Sequence, residues 1–143
     1  ILGGATQKDA EDLYQFGRNL GIAFQLQDDL LDTYGDPEII GKKVGTDILD
    51  NKKTFLMIRA LDQASPAQKK ELTTWLTAQR VDPSQKIRAV SGIFDALNIR
   101  AETEKKIQEY HDKALASLKQ LNRAEERKVE LYNFASFLLN RNR

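Results

Sequence analysis

Three aspartates, Asp28, Asp29 and Asp32, interrupt an otherwise apolar stretch, FQLQDDLLDTYGD, at residues 24–36. At helical spacing Arg18, Gly21, Gln25, Asp28, Asp29 and Asp32 share one face. Carboxylates so close repel one another by a few tenths of a kcal/mol per pair on an exposed helix, and by more where the face is buried. A hard divalent cation is the natural compensation. Mg²⁺ takes oxygen ligands and is commonly held by one or two carboxylates together with substrate phosphates. Gly21 leaves room above this face, and Gln25 offers an amide to a polar ligand or its water. Downstream, GKKVGTDILDNKKT at residues 41–54 carries Lys42, Lys43, Lys52 and Lys53. Cations beside a metal–carboxylate site are what a diphosphate needs for charge neutralisation, and Gly41 and Gly45 would let the backbone approach it. The plain alternative is a solvated acidic face with exposed loop lysines.

The elements that must carry these residues read as helices throughout. Proline is scarce and long β-branched alternating runs are absent, so we expect an all-α chain of about six helices with short connections. The first spans about 7–34, with Thr6 as N-cap and Asp9 and Glu11 in its first turn; Gly35 ends it, and Asp36-Pro37 turns the chain. After the glycine-bearing loop a second helix is expected from Thr46 or Asp47 to about Gln63. Ser65-Pro66 and Asp82-Pro83 each read as N-cap followed by N1, opening a third and a fourth helix. A fifth is expected over about 101–121, and a sixth over about 124–139. Helices joined so tightly pack antiparallel, as in a bundle. Trp75 is expected in a core or interface, His111 on the surface, and 121–130 as a solvated helix start. Arg141 and Arg143 could cap the last helix through its dipole.

Composition narrows the function. The 143 residues carry 22 Lys and Arg against 21 Asp and Glu, a net charge of +1, which is no basic signature of nucleic-acid binding. No apolar run reaches the roughly 20 residues of a membrane span. Cysteine is absent, so there is no disulfide or thiolate metal site, and one histidine cannot build a histidine-based zinc site. These features suit a cytoplasmic protein. The opening ILGGAT has neither a methionine nor the charged start of a signal peptide, and we read it as the interior of a longer protein.

The run GRNLGIAFQLQDDLLDTYGDPEIIGKKVGTDILDNKKT resembles the second aspartate-rich region of the trans-isoprenyl diphosphate synthases, the polyprenyl synthetases that include farnesyl and geranylgeranyl diphosphate synthase. That family's pattern, roughly G-x-x-F-Q-x-x-D-D-x-x-D, then G-K-x-x-G-x-D and K-x-T, is met by Phe24, Gln25, Asp28, Asp29, Asp32, Gly41, Lys42, Gly45, Asp47, Lys52 and Thr54. The resemblance covers the chain as the C-terminal half of an isoprenoid-synthase-type helical bundle. It implies an allylic diphosphate and isopentenyl diphosphate as substrates, joined head to tail, with two or three Mg²⁺ ions in the complete enzyme. It assigns Asp28 and Asp32 to Mg²⁺, Asp29 to a supporting position or a cation pair, and Lys42 and Lys52 to the allylic diphosphate. Gln25 falls near the reacting carbons and Phe24 near the isopentenyl pocket. Members are commonly homodimers, with an apolar tunnel shielding the carbocation from water.

The departures are equally informative. The first aspartate-rich motif of the family, D-D-x-x-x-x-D or D-D-x-x-D followed by an arginine pair, has no counterpart here; Asp9, Glu11 and Asp12 do not fit it. We therefore expect the chain alone to be inactive and, with an apolar face laid bare, to self-associate. A non-catalytic subunit of another synthase is the competing reading. A class I terpene cyclase would carry an Asn/Asp-x-x-Ser/Thr-x-x-x-Glu second motif, which QDDLLDTYGD is not. A plain helical interaction module would leave the acidic face unexplained.

Overall fold

The computed structural model describes residues 4–40 and 43–140. Among them every regular element is helical: α1 Gln7–Tyr34, α2 Pro37–Ile40, α3 Thr46–Leu49, α4 Phe55–Gln63, α5 Pro66–Thr77, α6 Pro83–Ala96, α7 Ile99–Gln120, a 3₁₀ turn at Glu125–Arg127, and α8 Val129–Asn140. The all-α expectation holds. The expected 46–63 helix is instead broken into α3 and α4. Its interruption has a local cause. Asn51 sits in the left-handed region at φ 54°, and Thr54 is the extended N-cap of α4, its hydroxyl accepting the Met57 N–H. The expected 124–139 helix likewise begins as a 3₁₀ turn before α8, and α2 adds a single turn in the loop.

Elsewhere the caps work as read. Thr6 Oγ1 accepts the Asp9 N–H at 3.0 Å. Ser65 and Gln68 form a reciprocal capping box with Pro66 inside it. Asp82 accepts the Gln85 N–H ahead of α6.

The chain divides into two compact units, residues 28–104 and residues 1–27 with 105–143. In the first, α6 is the common partner of α3, α4 and α5. It brings Val90, Ile93 and Phe94 to a buried set with Ile48, Leu56, Met57, Ala60 and Leu72. In the second, Phe16 and Leu20 of α1 pack with Ala114, Leu118 and Leu121 of the α7 end and Ala135 of α8.

Three surface expectations are corrected. His111 is buried, and neither ring nitrogen has a hydrogen-bond partner among the described residues. Its charged neighbours in the sequence point outward while the ring itself falls on the apolar stripe of α7. Leu121, at the head of the expected solvated start, closes the core of its unit. Lys128 is buried too, its ammonium donating to Glu125 Oε1 at 2.8 Å and the Lys119 carbonyl at 3.4 Å. Trp75 is half-buried, and Arg141 and Arg143 lie outside the described residues.

Asp9 ties the start of α1 to the end of α7. Its carboxylate accepts the Asn122 N–H at 3.0 Å, the Thr6 hydroxyl at 2.9 Å and the Thr6 N–H at 3.2 Å, with Arg123 at 3.5 Å. The Asn122 and Thr6 bonds, in that order, hold its ionisation below the ordinary carboxylate value of 3.8. A depressed carboxylate stabilises the fold fully above the unfolded value and loses that contribution as pH falls through the folded one. Asp9→Ala is therefore expected to lower the unfolding midpoint at pH 7, with the gap to the parent chain closing below about pH 3; urea titrations at pH 7 and pH 2.5 measure both.

Candidate functional site

The acidic run falls on the last two turns of α1, and its three carboxylates part ways. Successive residues of a helix point about 100° apart, so Asp28 and Asp29 diverge while Asp32 lies between them. Asp28 is half-buried, and Asp29 and Asp32 are buried.

Asp32 faces the chain that returns after the loop. Its Oδ1 accepts the Thr46 hydroxyl at 2.6 Å, its Oδ2 accepts the Asp47 N–H at 2.8 Å, and its backbone carbonyl accepts the Gly45 N–H at 2.5 Å. Gly45 is required twice over. Its φ of 81° lies in the left-handed region, and a Cβ there would stand 2.5 Å from Ile87 Cδ1 of α6.

Asp29 holds the other end of the same segment. Its Oδ1 accepts from Lys52 Nζ at 3.1 Å, and the same ammonium donates to Asp47 Oδ2 at 3.0 Å. The Lys52 N–H donates to the Asp47 carbonyl at 2.9 Å. The hydrogen bond to Asp47 is the largest cause pushing Lys52 above the ordinary lysine value, with Asp29 adding to it, and partial desolvation opposes both. The Lys52 ammonium is therefore fixed in its charged form. Asp47 is raised above the ordinary carboxylate value, first by burial and then by Asp32 and Asp29 nearby, against the pull of Lys52.

Sequence reasoning missed Lys86. It projects from α6, is 3% exposed, and donates to Asn51 Oδ1 at 2.7 Å and the Leu49 carbonyl at 3.2 Å. It thereby closes the end of α3 and holds the left-handed turn at Asn51. Helical spacing alone puts Lys86 four residues before Val90, on the buried stripe, and that was the available signal. Tyr34 was missed as well. Its hydroxyl donates to Asp95 Oδ1 at 2.9 Å, and the Arg100 guanidinium lies 5.2 Å from its ring centre. Burial first, and then Asp95, pushes its ionisation far up.

Of the expected site residues the structure thus brings together Asp29, Asp32 and Lys52, with Thr46 and Asp47 between them. Asp28 lies on the same turn of α1. Phe24 is half-buried and Gln25 exposed, in the part of α1 that belongs to the other unit. Gly41 and Lys42 lie outside the described residues. Among the described residues no three acidic or histidine side chains converge as a metal cage. The donors are carboxylate oxygens, the kind Mg²⁺ takes, so this chain fits part of an Mg²⁺ shell whose remaining ligands would be water and substrate oxygens.

Residues 1–93 match the polyprenyl synthetase family. Octaprenyl diphosphate synthase of Escherichia coli is 33% identical over 124 residues, 85% of this chain and 37% of that protein. Farnesyl pyrophosphate synthase of Schizosaccharomyces pombe is 39% identical over 102 residues, 71% of this chain and 27% of that protein. Among solved structures, a geranylgeranyl pyrophosphate synthase superposes with a TM-score of 0.85 at 35% identity, over 98% of this chain and 44% of its own. The Corynebacterium glutamicum geranylgeranyl pyrophosphate synthase complexed with isoprenyl diphosphate and magnesium superposes at 0.81 with 29% identity, over 96% of this chain and 39% of its own. The chain therefore spans less than half the length of each of these relatives.

Gly45→Ala tests the packing of the returning segment. It places an L side chain at positive φ, worth about 1–2 kcal/mol, and also displaces Ile87. A loss of stability exceeding that backbone cost is expected in urea unfolding. The added Ile87→Ala change is expected to make the Gly45→Ala penalty smaller than in the parent background, which the double-mutant cycle measures.

Proposed function

Since the chain belongs to the polyprenyl synthetase family, we propose that it is the part of a trans-prenyl diphosphate synthase that carries the second aspartate-rich region and its diphosphate-facing lysines. The reaction is the head-to-tail condensation of an allylic diphosphate with isopentenyl diphosphate. The observation that carries this reading is the fixed ammonium of Lys52, held beside the acidic turn of α1 by Asp29 and Asp47.

The chemistry asks three things of the protein. The allylic C–O bond breaks with its electron pair leaving on the diphosphate, so cations must meet that charge as it develops. The double bond of isopentenyl diphosphate then forms the new C–C bond, and the adduct gives up a proton to a base, a role that an oxygen of the released diphosphate can fill. Lys52 meets the diphosphate as a point charge that does not titrate near neutrality, and Lys42 is proposed beside it from its place in the motif. Asp28 is the carboxylate proposed to hold Mg²⁺, which when bound withdraws charge from the leaving diphosphate. Gln25 is proposed near the reacting carbons and Phe24 beside the isopentenyl group. The relative captured with isoprenyl diphosphate and magnesium supports the substrate class and the ion.

Residues 1–143 contain no first aspartate-rich motif, so the chain alone is proposed to be inactive. That same observation favours the second reading, a non-catalytic subunit that supports another synthase. The cytoplasm is the proposed location; among the described residues no helix is long and apolar enough to cross a membrane. A homo-oligomer is also proposed. Leu13, Tyr14, Val129, Phe134 and Phe137 are all exposed within the unit 1–27 with 105–143, and side chains of this kind are covered when a partner is present.

Titration calorimetry with sodium diphosphate and MgCl₂ tests the reading directly. Binding is expected that needs both components, with affinity falling at least tenfold in Asp28→Ala and in Lys52→Met. The same heat with Mg²⁺ omitted, or undiminished affinity in both variants, would remove the proposal. Sedimentation at rising concentration is expected to show a species larger than 16.3 kDa; a monomer throughout would remove the oligomer.

A further inference from the structure

The turn that hands the chain from α3 to Lys52 has asparagine where glycine is usual. The Asn51 N–H donates to the Ile48 carbonyl at 3.2 Å and the Lys52 N–H to the Asp47 carbonyl at 2.9 Å, the paired bonds of a Schellman helix end. The left-handed residue of that turn is Asn51, at φ 54°. Glycine would take this backbone more readily; asparagine brings an amide, and both ends of the amide are used. Its Oδ1 accepts from the Lys86 ammonium at 2.7 Å. Its Nδ2 donates to the Leu76 carbonyl at 3.1 Å, one of the carbonyls that the end of α5 leaves without a helical partner. An ammonium only donates and a carbonyl only accepts, so these two partners fix which way the amide faces. We propose that Asn51 and Lys86 are positioning residues for Lys52, anchoring to α6 and α5 the turn from which its side chain extends.

Lys86 makes the anchor firm. It is 3% exposed and divides its ammonium between Asn51 Oδ1 and the Leu49 carbonyl at 3.2 Å. Loss of either acceptor would leave a buried cation short of partners, which is far more costly than the same loss at an exposed lysine. Residues 49–51 are therefore held to α6, and a single peptide bond separates them from Lys52. The tip of the Lys52 side chain is held from the other direction, by Asp29 at 3.1 Å and Asp47 at 3.0 Å. Asp32 joins the same polar ring by accepting the Asp47 N–H at 2.8 Å. The ring fixes the ammonium, and the Asn51 anchor fixes the backbone that carries it. Without the anchor, the ring would have to hold the tip of a side chain whose root is free to move. The anchor is read from the geometry alone; its consequence for the diphosphate rests on the function proposed above.

The test uses the full 143-residue chain and two readouts, amide hydrogen exchange by NMR without metal, and titration calorimetry with sodium diphosphate and MgCl₂. Asn51→Gly keeps a residue suited to positive φ and removes both side-chain bonds. Lys86→Met keeps an unbranched stem and removes the charge. In each, exchange of the Lys52 amide is expected to quicken roughly tenfold or more. The Gly45 amide, on the Asp32 carbonyl, and the Ala64 amide, at the end of α4, are expected to exchange as in the parent chain. Asn51→Asp keeps an acceptor for Lys86 and is expected to leave Lys52 exchange near the parent's. Diphosphate affinity is expected to fall roughly fivefold or more in Asn51→Gly and in Lys86→Met. Should Lys86→Met not fold, Asn51→Gly and Asn51→Asp carry the test. Unchanged Lys52 exchange in either Asn51→Gly or Lys86→Met overturns the proposal. So does exchange that quickens equally at Gly45 and Ala64, which is general loosening and not positioning. Exchange as fast in Asn51→Asp as in Asn51→Gly removes Lys86 from the proposal. Undiminished affinity in both variants of a parent that does bind diphosphate overturns it as well. A parent that binds no diphosphate with Mg²⁺ sinks the proposed function, and selectively faster Lys52 exchange in its variants leaves the anchor standing.

Discussion

Two buried carboxylates on one helix need donors, and meeting that need organises residues 28–104. A buried, unpaired carboxylate costs several kcal/mol. Asp29 and Asp32 avoid that cost by drawing the chain back from its loop and fastening it at both ends. The Asp47 N–H and Thr46 hydroxyl serve Asp32, and the Lys52 ammonium serves Asp29. Once the segment is fastened, its apolar residue Ile48 is delivered to the α6 face, where it is 3% exposed. Gly45 fits the backbone against Ile87, and Lys86 reaches up from α6 to close the far end of α3. The polar ring and the apolar packing therefore hold the same eight residues from opposite sides. Neither is decoration on the other: loss of the ring leaves charges buried, and loss of the packing leaves the ring on an unsupported loop.

This arrangement bears on what a cation of the protein can do for a phosphorylated ligand. A flexible lysine gives up rotamer freedom when it meets an anion, about 2 kcal/mol for the whole side chain. Lys52 has already lost much of that freedom to Asp29 and Asp47, yet its side chain remains 45% exposed. It is oriented and still reachable. The two carboxylates keep it charged and partly neutralise it at rest, so an anionic ligand would meet a preset donor and would have to compete with the carboxylates for it.

How much of this was legible follows from which interactions are local. Caps are local, and Thr6, Ser65-Pro66 and Asp82-Pro83 announced α1, α5 and α6 at the correct residues because a side chain four or fewer positions away does the work. The break between α3 and α4 was written locally too, in the helix N-cap Thr54, but it was outvoted by the helical periodicity running on either side. Lys86, Lys128 and His111 are polar residues on apolar stripes, and each is buried for a different reason. Lys86 depends on acceptors from segments far away in sequence, Leu49 and Asn51. Lys128 finds its acceptors nearby, at Glu125 and Lys119, and the His111 ring is buried with no hydrogen-bond partner among the described residues. The acidic motif shows the same limit. Its residue types and spacing stated that charge had to be compensated at 28–32, but not that the chain itself would supply the donors to Asp29 and Asp32.

That division gives the acids of the turn different structural work. A lone Asp28 on a helix would present a carboxylate with nothing to fix the loop that faces it. Lysines of that segment would then sample many positions relative to the turn. With Asp29 and Asp32 spent on the segment 45–52, the loop returns to a single place relative to the same helical turn that carries Asp28. The distance between the Asp28 carboxylate and the Lys52 ammonium is then set within one turn of α1 and one short segment bonded to it. Charges that are held in place need not reorganise when a ligand's charge changes, and bonding Lys52 to the turn that carries Asp28 is one way for a helical protein to supply them.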